Sequence, residues 1–184
     1  MSTHSAAEES MELDIISHSA AQTSRLGMRL GELLHGGELL LLAGQLGTGK
    51  TTFTQGLAQG MNITDVVNSP TFTLLKEYAG WTPPAAERSQ KAAHGLALYH
   101  FDLYRLDEPE EIIELGFEDY FYGSGVSVVE WADKANDLWP ARRLSIFFKA
   151  LNETKRGLLF VATGAHYCEL LRQFQKNTYA TASS

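Results

Sequence analysis

Polar and apolar residues alternate from Glu12 to Ser17, the period of a short strand. Ser19 then precedes Leu26, Leu30, Leu33 and Leu34 at helical spacing, and Gly36-Gly37 closes that stretch. Four leucines, Leu39 to Leu42, sit between this glycine pair and Gly44. Leucine is not a strong strand former, but a run this short between glycines predicts a buried strand over Glu38–Ala43. Gly44 to Thr51 is glycine-rich, and Thr51 to Gly60 fits a helix that stops at a glycine. Thr71–Tyr78 and Leu96–Asp102 read as two strands, joined by a long connection over 79–95 that contains Pro83-Pro84 and Gly95 and is expected to be a mobile hairpin loop.

Asp107, Pro109 and Glu110 form a helix start, with an acidic cap, a proline in the first turn and a glutamate three residues after the cap. That helix should end near Gly116. Val126 to Val129 is an apolar run ending in Glu130-Trp131, and Arg143–Leu151 with Leu158–Thr163 suggests a hairpin turning at Asn152–Gly157. A last helix is expected from Ala165 to Lys176. The pattern therefore predicts one α/β domain over 11–176, with a flexible leader over 1–10 and a polar tail over 177–184. Its sheet is mixed, largely parallel and flanked by helices on both sides, with an antiparallel hairpin near the C-terminus.

A length of 184 residues fits a single domain of this kind, and 44% hydrophobic with 20% charged residues is a globular composition. The longest purely apolar run, Leu39 to Ala43, is far too short to cross a bilayer, and the polar, acidic first residues do not resemble a signal peptide. One cysteine, Cys168, excludes an internal disulfide framework and suits a reducing cytoplasm. The formal net charge of −7 is concentrated: between Asp102 and Asp119 eight acids face a single base, Arg105. No basic stripe offers the phosphate neutralisation that a general nucleic-acid binder needs. The acidic segment is either a solvated helix face or a docking face for a partner with a basic patch.

The sharpest chemical signal is Gly44-Gln45-Leu46-Gly47-Thr48-Gly49-Lys50-Thr51, which matches G-x-x-x-x-G-K-[ST] between an expected strand and an expected helix. Glycines let backbone N–H groups converge on phosphate oxygens, and the helix N-terminus adds favourable partial charge. In this pattern Lys50 reaches the β- and γ-phosphates and the Thr51 hydroxyl ligates Mg²⁺. A nucleoside triphosphate is the expected ligand. No Asn-Lys-x-Asp element for guanine occurs, which favours ATP.

Such a loop needs an acid at the end of a neighbouring strand. Two are available. Val126 to Glu130 has the form of a Walker B element, and Leu98 to Asp102 is the other candidate. We assign Glu130 to the metal and Asp102 to orienting water or sensing the γ-phosphate. His100, on the same strand face as Asp102, reads as a structural hydrogen-bond partner rather than a base. Ser69-Pro70-Thr71-Phe72-Thr73 stands where P-loop proteins place a nucleotide-sensing switch, although an ordinary strand start has the same composition.

Taken in order, Gly44 to Thr52, Ser69 to Phe72, the run His100-Phe101-Asp102-Leu103-Tyr104-Arg105-Leu106, and Val129-Glu130-Trp131 resemble the TsaE (YjeE) family over roughly residues 12–170. That resemblance implies a P-loop fold with a seven-stranded, largely parallel sheet and ATP hydrolysis that is weak alone. It also implies TsaB and TsaD as partners, which transfer threonylcarbamoyl to adenosine 37 of tRNA, with the tRNA reached only through them. By the same resemblance Thr51 and Glu130 hold Mg²⁺, and Lys50 and the loop from Gly44 through Leu46, Gly47, Thr48 and Gly49 to Thr52 hold the phosphates. Asp102 serves hydrolysis or its coupling, Trp131 lies beside the nucleotide, Ser19 to Thr23, with Thr23 as the site residue, marks the adenine side, and Arg156 is the basic residue of the late hairpin. The connection from Trp81 to His94 is longer than the family's usual one. Two other readings of the P-loop remain: a small-molecule kinase, against which no arginine-rich lid is found, and a non-catalytic assembly module that responds to nucleotide.

Overall fold

The computed structural model describes residues 8–70, 72–80 and 95–180. Seven strands, β1 (Ser10–Ser17), β2 (Leu39–Gly44), β3 (Leu75–Tyr78), β4 (Leu98–Asp102), β5 (Val126–Glu130), β6 (Arg143–Ala150) and β7 (Arg156–Thr163), form one sheet in the order β1-β7-β6-β2-β5-β4-β3. The four central strands β6, β2, β5 and β4 are parallel, whereas β1, β7 and β3 pair antiparallel at the two sides. The central position of β2 explains its uninterrupted leucines, because both of its faces are covered. Leu40 and Leu42 pack into one core with α1 (Ala20–Gly31), α2 (Lys50–Gly60) and α5 (Ala165–Ala180). Leu39 and Leu41 pack into the other, beneath the short helices α3 (Glu110–Glu114) and α4 (Glu118–Phe121) and a 3₁₀ segment over Ala132–Leu138.

Helices α1 and α2 lie almost backbone to backbone. A Cβ at Gly27 would sit 2.1 Å from the Phe53 carbonyl oxygen, one at Gly56 1.9 Å from that of Ser24, and one at Gly60 2.1 Å from that of Met28. Glycine at these positions brings the start of α1 close under the glycine-rich loop. Among the described residues no helix is long and apolar enough to cross a membrane.

Several boundaries differ from the sequence reading. Strand β1 begins at Ser10, opposite Thr163, and Gly164 N–H donates to the Glu9 carbonyl at 2.8 Å, so the expected leader joins the sheet before residue 11. Strand β3 begins at Leu75 because Leu74 has φ +60°, which breaks the extended run. Strand β4 begins at Leu98, and most of the long connection expected to be mobile, residues 81–94, lies outside the described residues. Strand β7 begins at Arg156, since Leu151 N–H closes the hairpin turn on the Lys155 carbonyl at 3.0 Å. The helix expected from Asp107 starts only at Glu110 and ends as expected before Gly116, whose φ is +68°; α4 follows as a second short helix that the sequence pattern did not indicate. No side chain caps α3; the Glu111 carboxylate instead accepts from Glu108 N–H at 3.0 Å. Helix α5 runs four residues beyond Lys176 to Ala180, with Arg29 donating to the Thr178 carbonyl at 3.4 Å, so the expected tail starts inside the helix.

Candidate nucleotide site

The C-terminal ends of β2, β4 and β5 meet at one point: the register sets Leu42 beside Glu130 and Glu130 beside Asp102. Parallel sheets bind ligands at such an edge, where successive loops turn away from one another. From β2 the chain passes through Gly44, Gly47 and Gly49, with φ of +153°, +74° and +101°, and enters α2 at Lys50. Gly47 and Gly49 hold the left-handed region, which residues with a Cβ rarely adopt. Helix α2 has no side-chain cap and no acid in its own first turn, so no side chain of the helix start occupies its first N–H groups. That is the condition for receiving an anion.

Lys50 turns back over this loop. Its ammonium donates to the carbonyls of Gly44 at 2.6 Å and Gln45 at 2.9 Å, and lies 4.2 Å from the centre of the Trp131 ring. Burial lowers its pKa from the usual 10.5, opposed by the carboxylates of Glu130, Asp133 and Asp102. The Thr48 hydroxyl donates to the Gln45 carbonyl at 2.7 Å, and Arg156 reaches across from β7 to donate to the Gly47 carbonyl at 3.2 Å. Thr23 supports the loop from below, with its methyl 3.4 Å from where a Gly49 Cβ would stand and its hydroxyl 2.7 Å from that of Ser17.

Two acids face the loop. Glu130 accepts the Thr51 hydroxyl on Oε2 at 3.0 Å, while its Oε1 lies 2.8 Å from His100 Nε2 and 3.5 Å from the Thr54 hydroxyl that donates to it. Asp102 accepts the Ser69 hydroxyl on Oδ2 and Tyr104 N–H on Oδ1 at 2.9 Å. Tyr104 stacks against Trp131 with ring centres 4.9 Å apart, and Lys134 donates to the carbonyls of Tyr104 and Leu106, pinning the turn after β4. Trp131 itself has φ +60°, an uncommon conformation for a large side chain, and its ring meets both the Lys50 ammonium and the Tyr104 ring.

Around these groups is a cavity of about 550 Å³. Leu46, Gly47, Thr48, Gly49, Lys50, Thr51, Thr52, Asp102, Glu130, Trp131, Thr23 and Arg156 all line it. Gly44 does not; it lies beneath the loop, where a Cβ would come within 2.6 Å of the Phe148 carbonyl oxygen. Among the described residues of the Ser69–Thr73 stretch, only Ser69 lines the cavity. The Thr73 hydroxyl donates to the Leu75 carbonyl, the Phe72 ring stacks outside under Arg105 at 4.6 Å, and Thr71 lies outside the described residues. Glu153 and Thr154 complete the wall from the β6–β7 turn. Sequence reading did not single them out, because no local signal relates that turn to the loop 105 residues earlier. Thr54 was equally missed, although one helical turn past Lys50 is a position that local spacing does supply.

Among the described residues no three His, Cys, Asp or Glu side chains gather as a metal site. The Thr51 hydroxyl and the Glu130 carboxylate are instead two hard oxygen donors beside the uncapped start of α2. That donor set fits Mg²⁺, which commonly binds through one or two protein oxygens plus phosphate and water.

The family model described as "Threonylcarbamoyl adenosine biosynthesis protein TsaE" matches residues 17–158. The chain belongs to the TsaE family. A Bacillus subtilis relative, "tRNA threonylcarbamoyladenosine biosynthesis protein TsaE", is 40% identical over 77% of this chain and 80% of its own length. The Treponema pallidum protein of the same name is 37% identical over 77% of this chain and 94% of its own. The crystal structure of Bacillus subtilis YdiB superposes with a TM-score of 0.73 and 31% identity, covering 92% of this chain and 98% of that one. Every candidate residue, from Thr23 to Arg156, falls inside the stretch matched by TsaE. The first strand residues and α5 lie outside it, and α5 closes the core on the α1–α2 side.

Proposed function

We propose that this TsaE-family protein is a cytoplasmic, Mg²⁺-dependent P-loop ATPase that works with TsaB and TsaD in threonylcarbamoyladenosine modification of tRNA. The observation that carries the reading is the convergence of Lys50, Thr51, Glu130 and Asp102 on one cavity at the uncapped start of α2. The α2 amides and Lys50 bind the phosphate tail, and Arg156 holds the loop shut from the far side. Thr51 and Glu130 hold Mg²⁺, which when bound offsets charge on the β- and γ-phosphates. Asp102, with one oxygen held by Tyr104 N–H and the other by Ser69, orients the attacking water and accepts its proton. Trp131 and Tyr104 supply an apolar wall that keeps bulk water from the phosphates.

Asp102→Ala is expected to lower ATP hydrolysis at least about tenfold while calorimetry finds ATP affinity unchanged. Unchanged hydrolysis would remove Asp102 from the chemistry and favour an assembly module. The decisive assay combines TsaB, TsaD, tRNA and threonylcarbamoyl-adenylate with ATP. Multiple-turnover modification should rise when this protein is added, with inorganic phosphate released. An equal yield without it, or phosphate carried onto an added metabolite, would overturn the proposal.

A further inference from the structure

A histidine held only for packing would not be buried with a polar atom left over. His100 is fully buried in the middle of β4, between Lys76 of β3 and Val128 of β5 in the register of the sheet. Its Nδ1 has no hydrogen-bond partner among the described residues. An unmet buried acceptor costs about 1–3 kcal/mol, so an apolar side chain of similar size would stabilise the sheet better at this position. What the imidazole has in return is one contact, Nε2 to Glu130 Oε1 at 2.8 Å. The opposite tautomer would set the Nε2 lone pair against a carboxylate oxygen, so Nε2 carries the proton and donates.

That contact controls which way the carboxylate faces. Glu130 sits two residues farther along β5 than the register partner of His100, on the same face of the sheet. Its Oε1 is held by His100, and its Oε2 is left to the Thr51 hydroxyl at 3.0 Å. The other donor to Oε1, the Thr54 hydroxyl, is distant at 3.5 Å and also donates to the Lys50 carbonyl at 3.0 Å. We propose that His100 is a positioning residue that clamps Glu130 Oε1, so that Oε2 stays turned toward Thr51 and the divalent cation the two would share. The inference rests on the proposed role of Thr51 and Glu130. Partners that orient a metal-binding carboxylate typically change metal affinity by about 10- to 100-fold when removed.

Mn²⁺ serves as the probe, its uptake followed by electron paramagnetic resonance on the full chain with saturating ADP. His100→Phe keeps a planar aromatic ring, somewhat larger than imidazole, and removes the donor. It should weaken Mn²⁺ binding by about 10- to 100-fold, with ADP affinity in EDTA unchanged. His100→Gln returns an N–H donor and should recover most of the loss. Wild-type Mn²⁺ affinity in His100→Phe would overturn the inference alone. So would a His100→Gln variant as weak as His100→Phe, or an equal fall of ADP affinity in EDTA, since either marks a merely structural role. If the wild-type protein takes up no Mn²⁺ beside ADP, the cation site itself is wrong and the inference falls with it.

Discussion

Lys50→Ala should weaken ATP binding by about 10- to 100-fold, because a charge-assisted hydrogen bond to phosphate is worth about 1.5–3 kcal/mol. The ammonium has three N–H donors, and two are engaged by the Gly44 and Gln45 carbonyls. The third is free to meet a phosphate oxygen without breaking either bond. Lys50 therefore belongs to the loop's architecture as well as to its ligand chemistry. A reading from glycine content alone leaves the loop backbone indifferent to this substitution. The structure adds a cost of about 1–2 kcal/mol for two carbonyls that lose their partner. Isothermal titration calorimetry is the suitable measurement, since Trp131 lies under Lys50 and its fluorescence would change for reasons unrelated to binding. Wild-type ATP affinity in a variant with a native circular dichroism spectrum would contradict the assignment.

The second large effect concerns stability. In Gly56→Ala the new methyl would stand 1.9 Å from the Ser24 carbonyl oxygen and 2.7 Å from its carbonyl carbon, a backbone segment with no rotamer to move. Overpacking typically costs about 1–3 kcal/mol, and backbone against backbone belongs at or above the top of that range. We expect about 3 kcal/mol, which in a protein of this size corresponds to a fall of roughly 6–12 °C in Tm. Relief requires α1 to move away from α2. That movement carries Thr23 away from Gly49, so nucleotide affinity should fall together with Tm. A thermal melt with unchanged Tm would show that the helices separate at little cost. The control is Gly47→Ala, where a Cβ meets nothing within 4 Å and only the positive φ is strained. Its loss in Tm should be smaller, while its effect on ATP binding should be comparable.

The glycine-rich loop could be read directly because its chemistry is contiguous. Strand, phosphate cradle, lysine and hydroxyl follow one another within a few residues, so local spacing carries the whole element. The two acids were legible for a similar reason, each ending an apolar strand. The Walker B form of Val126–Glu130 also favoured Glu130 as the acid beside Thr51, and the β2-β5-β4 order is what brings the two together. The end of the acidic helix was legible because Gly116, at φ +68°, stops it, whereas its start was not, since no side chain caps it and α3 begins only at Glu110.

Periodicity, flanking glycines and motif spacing are local properties, and from them the chain by itself determined an α/β sheet domain with a glycine-rich loop between its second strand and the helix that follows. Tertiary structure alone decided that Arg156 reaches the loop, that His100 holds Glu130, and that Gly27, Gly31, Gly56 and Gly60 on two helices form one seam. Each of these pairs residues far apart in the chain. Their meeting depends on strand order, on register and on how closely two backbones can approach, and no short stretch of sequence encodes any of the three.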